Sequence, residues 1–286
     1  LCKQPEICSN RTMPIPQTSD ASPLKRVLAV VLFNRLVYIV IGLPNAVLTI
    51  FVHTTLGYST TIAGLTFALQ YAATFAARSS AGRLVDKIGP KPVVIGGLLT
   101  CVCSGLLLGW AATLQNIPAA SLGILLLSRL FLGWAESWTA TGVIIWNIHR
   151  AGAENTALAI SWNGICSYGG IALGAPLGAA LALMPPPYGG LVAVGGLSAL
   201  LPLFGLALIG FYQGAKPHVS AEKPISFRKA LHLVLWHGSA PAAGSIGFAA
   251  ISSFLALYSA AHPWSGAATA LAVFGGVVGC VRFFLA

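Results

Sequence analysis

Gly82-Arg83-Leu84-Val85-Asp86-Lys87-Ile88-Gly89-Pro90-Lys91 separates two long apolar runs, and its reading decides the fold. Asp86 is one acid among four nearby bases, Arg78, Arg83, Lys87 and Lys91. Gly82 and Gly89 allow close backbone approach and positive φ, and Pro90 blocks continuation of a helix. The stretch therefore reads as a tight turn between two membrane-spanning helices. An ordinary basic loop at a membrane surface accounts for the bases but not for the ordered Gly, Asp and Gly.

The surrounding composition supports a membrane setting. Of 286 residues, 56% are hydrophobic and only 8% are charged, whereas a soluble domain carries about 25% charged residues. The mean hydropathy is +0.82. This balance excludes a cytoplasmic enzyme, a nucleic-acid-binding module and a disordered chain. The net charge of +10 invites a nucleic-acid partner. However, the bases sit in short clusters between apolar runs, with no basic face, so their expected partner is the bilayer. Cys101, Cys103, Cys166 and Cys280 lie in apolar segments, where Cys behaves as a small hydrophobe, and Cys2 and Cys8 lie in a polar tail. No Cys-x-x-Cys spacing is present for a zinc site, no metal site is expected, and no cofactor is expected either.

Crossing a bilayer takes about 20 apolar residues per helix. Eight such spans are read, at 27–52, 60–80, 92–112, 119–144, 157–183, 190–212, 229–259 and 266–285. Lys and Arg fall in the N-terminal tail (Lys3, Arg11, Lys25, Arg26) and in the second, fourth and sixth connections. The first, third, fifth and seventh connections carry none. Positive charge stays on the cytoplasmic side during insertion, which places both the N-terminus and residue 286 inside, as eight crossings require. Residues 1–24 contain four prolines and no apolar period, so a disordered cytoplasmic tail is expected. Met13 would make a natural start, in which case residues 1–12 are expected to be upstream sequence or the remains of one. The expected organisation is a six-helix unit over 25–212, a cytoplasmic connection over 213–228, and two further helices over 229–286. A weak internal repeat agrees with it: Tyr58-Ser59 opens the second span as Trp264-Ser265 opens the eighth, each after a His-containing turn (His53, His262).

The stretch that begins at Gly82 resembles the G-x-L-x-D-x-x-G-x-K/R signature between helices 2 and 3 of the major facilitator superfamily (MFS), and it falls between the second and third spans here. Arg129-Leu130-Phe131-Leu132-Gly133 in the fourth span resembles that family's R-x-x-x-G motif. Gly170, Gly174, Pro176 and Gly178 in the fifth are similar to its glycine–proline antiporter motif, with Ala175 inserted between Gly174 and Pro176. Together with Gln70-Tyr71 and Ser161-Trp162-Asn163-Gly164, these segments resemble a narrower group of bacterial inner-membrane transporters described as arabinose-efflux-like. The resemblance covers nearly all of 25–286. It implies an all-α MFS fold of two six-helix halves, of which this chain holds the first and two helices of a truncated second. It also implies that Gly82, Arg83, Asp86, Lys87, Gly89 and Lys91 form a latch closing on the other half near helix 11, beyond the spans read here.

Three charged residues fall deep inside spans: Arg35, Arg129 and Glu136. Each costs about 2.5–3.5 kcal/mol at a helix centre, so each is a functional candidate. Arg129 and Glu136 are seven residues apart, on one face and about 10 Å apart along the axis. Arg35 lies about 13 Å and Glu136 about 12 Å from the cytoplasmic ends of their helices, which predicts an Arg35–Glu136 pair across the first and fourth spans. Arg129 is left to face the solute or the other half. Burial favours a neutral carboxyl and a guanidinium favours the carboxylate, so Glu136 is the candidate proton carrier. A permanent structural ion pair is the alternative.

Polar stripes complete the reading. Asn34, Tyr38, Asn45 and Thr49 share a face of the first span; Thr66, Gln70 and Thr74 share one of the second. Such stripes suit a polar solute in a central cavity, and equally suit interhelical hydrogen bonds of about 0.6 kcal/mol each. Asn163, Ser167, Gly170, Gly174 and Gly178 form a small-residue face of the fifth span, read as packing surface first and binding surface second. Pro44 and Pro176 are expected to kink their helices. No phosphate-cradling glycine loop ending in Lys-Ser/Thr is present, and the six His residues lack metal-ligand or acid partners at motif spacing. The chain thus reads as a secondary transporter and not an enzyme, working as a monomer with protons and a small solute, sugar-like or drug-like. Proton-coupled efflux in a bacterial inner membrane is the leading expectation. An importer or facilitator of the same fold, or a non-transporting membrane protein or membrane enzyme, are the alternatives.

Overall fold

Pro44 has no backbone N–H to give to the turn behind it, and the first span breaks there. The computed structural model describes residues 23–185 and 189–215, together with individual positions between 235 and 277. Helix α1 (Pro23–Gly42) ends two residues before Pro44. A 3-10 turn, Leu43–Ala46, follows, then a short helical turn, Leu48–Ile50, and a π turn, Phe51–Thr55. The expected continuous span over 27–52 is therefore an interrupted one.

Helix α2 (Thr60–Ile88) starts at Ser59, whose Oγ accepts the Ile62 N–H at 3.4 Å. It ends at Gly89, where φ is 88° and the N–H donates to the Val85 carbonyl at 2.9 Å. Only glycine enters that conformation freely, and Pro90 opens α3 (Pro90–Thr113) at once. The signature stretch is thus helical through Ile88 and compresses its turn into Gly89. The tight turn expected over the whole stretch is confined to its end, and the second span extends past residue 80. Helix α4 (Pro118–Ala151) starts on Pro118 and stops at Gly152, with φ 94°. Helices α5 (Thr156–Ala182) and α6 (Gly190–Ile209) complete the unit. Pro176 lies inside α5, which continues through it as one helix.

The fold is all-α, and among the described residues no strand occurs. Five of these helices are long and apolar enough to cross a membrane, running over Leu24–Ala46, Pro90–Thr113, Pro118–Ala151, Thr156–Ala182 and Gly190–Ile209. Helix α2 is as long as they are, but its Thr66, Gln70 and Thr74 stripe and its basic C-terminal end make it less apolar. The expectations for residues 1–22, for the connection 216–228 and for most of the last two spans lie outside the described residues.

Small residues set the spacing between helices. On α5, a side chain at Gly174 would strike the Ile39 carbonyl and Gly42, and one at Gly178 would strike the Leu43 carbonyl. Helices α1 and α5 are therefore in backbone contact, as small-residue stripes permit. Between α3 and α4, the Ser104 and Ser128 hydroxyls each donate to the other's carbonyl at 2.9 Å, and Ser121 Oγ donates to the Ala111 carbonyl at 2.7 Å. Gly105 of α3 lies against the backbone of Ser198 and Ala199 in α6. One apolar cluster runs through Val27, Phe33, Leu98, Leu132 and Trp146, and a second through Leu43, Phe51, Leu108 and Leu125.

Candidate functional site

A carboxylate buried away from water requires donors, and two helices supply them to Glu136. Tyr38 of α1 donates its hydroxyl to Oε1 at 3.3 Å, and Thr74 of α2 donates to Oε2 at 3.1 Å. Glu136 is 7% exposed. Each donor is positioned by a glycine. Gly133, one turn before Glu136 on α4, abuts the Gln70 carbonyl and the Thr74 N–H, so that α2 lies directly on α4. Gly170 of α5 lies against Tyr38 Cβ and the Ile39 N–H, which fixes α1 at Tyr38. The glycines of the two motif segments thus hold the partners of one acid.

The predicted Arg35–Glu136 pair does not form. Arg35 is exposed on α1, while Glu136 is buried with Tyr38 and Thr74. Equal depth along two helices says nothing about azimuth, and it is Tyr38, one turn further along α1, that faces α4. The guanidinium that acts on Glu136 is Arg78, one turn beyond Thr74 on α2. The sequence reading placed Arg78 at the end of the second span and counted it with the bases around the connection; its i, i+4 spacing from Thr74 was the available signal.

Arg129 is 1% exposed, and its Nη1 donates to Gln70 Oε1 at 3.4 Å. Its Nε has no hydrogen-bond partner. The guanidinium is enclosed behind Gln70, beside Cys101 of α3 and Tyr71 of α2. That corrects its expected opening toward the solute or the other half. Gln70 stands between the two charges: its amide nitrogen lies near the Glu136 carboxylate without closing a hydrogen bond to it.

A second polar group lies between α1 and α5. Asn34, fully buried, donates through Nδ2 to Ser167 Oγ at 2.9 Å and to the Asn163 carbonyl at 3.5 Å, and Ser167 Oγ donates to that carbonyl at 2.8 Å. These donors fix the amide orientation, which leaves Asn34 Oδ1 without a partner, as is Asn163 Oδ1. Ser167 also stands beside the Tyr38 hydroxyl. Asn163, Ser167, Asn34, Tyr38, Glu136 and Thr74 form one polar belt across α5, α1, α4 and α2. Asn45 lies apart, buried in the 3-10 turn after α1.

At the Gly89 end, Asp86, Arg83 and Lys87 are exposed, and Arg83 Nε donates to the Ser79 carbonyl at 3.2 Å. Gly82 has a helical backbone, and a side chain added there would meet nothing within 4 Å. The reason given for it, close approach or positive φ, does not hold among the described residues. Lys91 was grouped with the latch, and it binds the segment just past α6: Nζ donates to the Tyr212 carbonyl at 2.6 Å. Trp146 Nε1 donates to the Gln213 carbonyl at 3.2 Å, and Phe33 stacks on Trp146 and meets Tyr212 edge-on. Sequence reasoning missed this clamp, whose acceptors are backbone atoms.

Comparison with known proteins agrees with this architecture. The chain is 43% identical over 270 residues to an uncharacterized MFS-type transporter of Burkholderia mallei strain SAVP1, covering 92% of this chain and 63% of that protein. A transporter of the same description from Burkholderia pseudomallei strain K96243 matches equally. The uncharacterized MFS-type transporter YhhS of Escherichia coli K12 is 40% identical over 253 residues, covering 87% of this chain and 60% of that protein. The chain thus spans about three fifths of the length of these curated relatives. The sequence model of the Major Facilitator Superfamily matches residues 30–286, and the chain belongs to that family of multi-pass membrane transporters.

Proposed function

We propose that this chain supplies the first six-helix half, and the opening of the second, of a proton-coupled antiporter that exports a small polar solute across a bacterial inner membrane. The two ends of the chain then lie in the cytoplasm, and a monomer is sufficient. The observation that carries the reading is Glu136. It is a buried carboxyl held by two hydroxyls, with a cation nearby on α2 and, among the described residues, no ion pair to lock it. Such a group accepts and loses a proton when helix movement changes its surroundings, which a locked pair resists.

The solute side of the reading rests on Asn34 and Asn163. Their two unfilled carbonyl oxygens favour a solute that donates hydrogen bonds, as the hydroxyls of a sugar-like molecule do. Asp86, Arg83 and Lys87, exposed at the Gly89 turn, serve as the latch against the second half. The test uses inside-out vesicles carrying the protein, with a pH-sensitive dye reporting proton release as a panel of sugars and drug-like solutes is added. The wild type releases protons with at least one solute, and Glu136→Gln abolishes the release while leaving solute binding intact. Unchanged proton release in that variant rejects the carrier role.

A further inference from the structure

A threonine hydroxyl has one hydrogen to give, and at Thr74 two acceptors compete for it. Oγ1 stands 3.1 Å from Oε2 of Glu136 and 3.0 Å from the backbone carbonyl of Gln70, one turn earlier on α2. Thr74, Gln70 and Glu136 are all buried. The Gln70 carbonyl lies against Gly133 of α4, where a side chain would strike it. The carbonyl, the hydroxyl and the acid therefore meet in one contact between α2 and α4. Moving the hydrogen from one acceptor to the other takes rotation about the Cβ–Oγ1 bond alone, and no heavy atom shifts.

The two acceptors match the two states of Glu136. A carboxylate only accepts: Tyr38 donates to Oε1 and Thr74 to Oε2. When a proton from the aqueous phase adds to Oε2, one O–H bond forms, the negative charge is lost and the carboxyl gains a donor. Thr74 Oγ1, 3.1 Å away, accepts that donor once its own hydrogen has turned to the Gln70 carbonyl. Tyr38 still donates to Oε1. Oε1 suits the proton less, because the Tyr38 hydroxyl makes its hydrogen bond there and would be displaced.

We infer that Thr74 is a positioning residue whose hydroxyl turns from Glu136 to the Gln70 carbonyl as the acid loads, and that the carried proton sits on Oε2. This rests on the carrier reading of Glu136 and deepens it. A buried polar atom left without a partner is costly, so an acid that loads and releases is served by a neighbour that fits both states. The ionisable groups around it are Tyr38 from α1, Tyr71 and Arg78 from α2, and Arg129 on its own helix. Cys101 of α3 faces Arg129, Tyr168 of α5 faces Tyr71, and Arg35 is exposed.

The test is infrared spectroscopy of the full chain in lipid nanodiscs across a pH series, with the protonated-carboxyl band assigned by its loss in Glu136→Gln. In Thr74→Val, which keeps the shape and removes the hydroxyl, two changes are expected together. The band moves to higher wavenumber, as for a carboxyl with one hydrogen bond fewer. The ratio of protonated to ionised Glu136 at a given pH rises about tenfold, the difference between losing a bond to a charged group and losing a neutral one. Thr74→Ser restores both. Thr74→Ala is measured in the same way should the valine variant not fold. A band that stays in place overturns the inference, since Thr74 then serves the carboxylate alone or only the Gln70 carbonyl, and so does a serine variant that behaves like valine. The measurement needs no solute, so its failure is separate from that of the antiport reading, which the vesicle assay decides. Absence of a Glu136 band at every pH rejects the carrier reading and this inference with it.

Discussion

At Gly178 the α-hydrogen of α5 faces the Leu43 carbonyl directly, and a methyl group there has no flexible neighbour to displace, since the obstacle is backbone. Gly174 meets Ile39 and Gly42 in the same way. Gly178→Ala is therefore expected to destabilise the protein by about 1–3 kcal/mol, the usual cost of overpacking. It should appear as a lowered thermal midpoint and a smaller monodisperse fraction in detergent. Gly82 is the control from the same chain. It sits in a helix with open space where a side chain would go, and Gly→Ala in a helix interior gains about 0.5–1 kcal/mol. Gly82→Ala is expected to match or exceed the wild-type midpoint. If Gly82→Ala lost stability, the reading of Gly82 as open would be wrong. Both glycines fall in motif segments, and the sequence offered no way to tell them apart, because the difference lies in which backbone passes opposite each.

Among elements, the exit of α6 is the most firmly tied. The last carbonyls of a helix lack internal partners, and Lys91 satisfies that of Tyr212 with a charged donor at 2.6 Å, while Trp146 satisfies Gln213. Hydrogen bonds to charged groups contribute about 1.5–3 kcal/mol, so losing this one should let the end of α6 open at least about tenfold more often. Lys91→Ala is expected to speed hydrogen exchange at residues 212–215 while leaving α3 protected. Exchange at the wild-type rate there would show that the clamp holds nothing. The helices themselves were legible from apolar length and the placement of Pro and Gly. Pro90 and Pro118 open helices, and Gly89 and Gly152 close them. The break after Gly42 was visible in Pro44 as a kink, whereas its extent was not, because the 3-10 turn packs through Leu43 on Gly178 of α5. The acid at the centre of the site was legible too, since Glu136 is an acid deep inside an apolar span. Its partners were not. Depth can be counted along a helix, but azimuth is set by packing, and that replaced Arg35 with Tyr38 and Thr74.

The whole molecule divides into parts expected to move together and parts expected to move apart. Reciprocal serine bonds join α3 to α4, and glycine contacts join α1 to α5, α2 to α4 and α3 to α6. A unit so joined behaves as one body. Against it lie residues of the later segments: Phe254 reaches the face of α2 at Gly64, Leu255 packs on Ala46 and Ala175, and Gly275 lies on Ala172 of α5. If transport proceeds by rocking of two halves, contacts of the first kind persist through the cycle and those of the second kind break. A disulfide distinguishes them, because it holds Cβ atoms about 3.5–4.5 Å apart. In a background cleared of the six native cysteines, Ser104→Cys with Ser128→Cys is expected to leave solute flux in vesicles near the uncrosslinked rate. Ala172→Cys with Gly275→Cys, where a side chain at Gly275 would stand 3.0 Å from Ala172 Cβ, is expected to stop flux under oxidation and restore it under reduction. Full flux through the oxidised Ala172–Gly275 crosslink would mean that the later segments travel with α5, and that the solute crosses without the two halves separating.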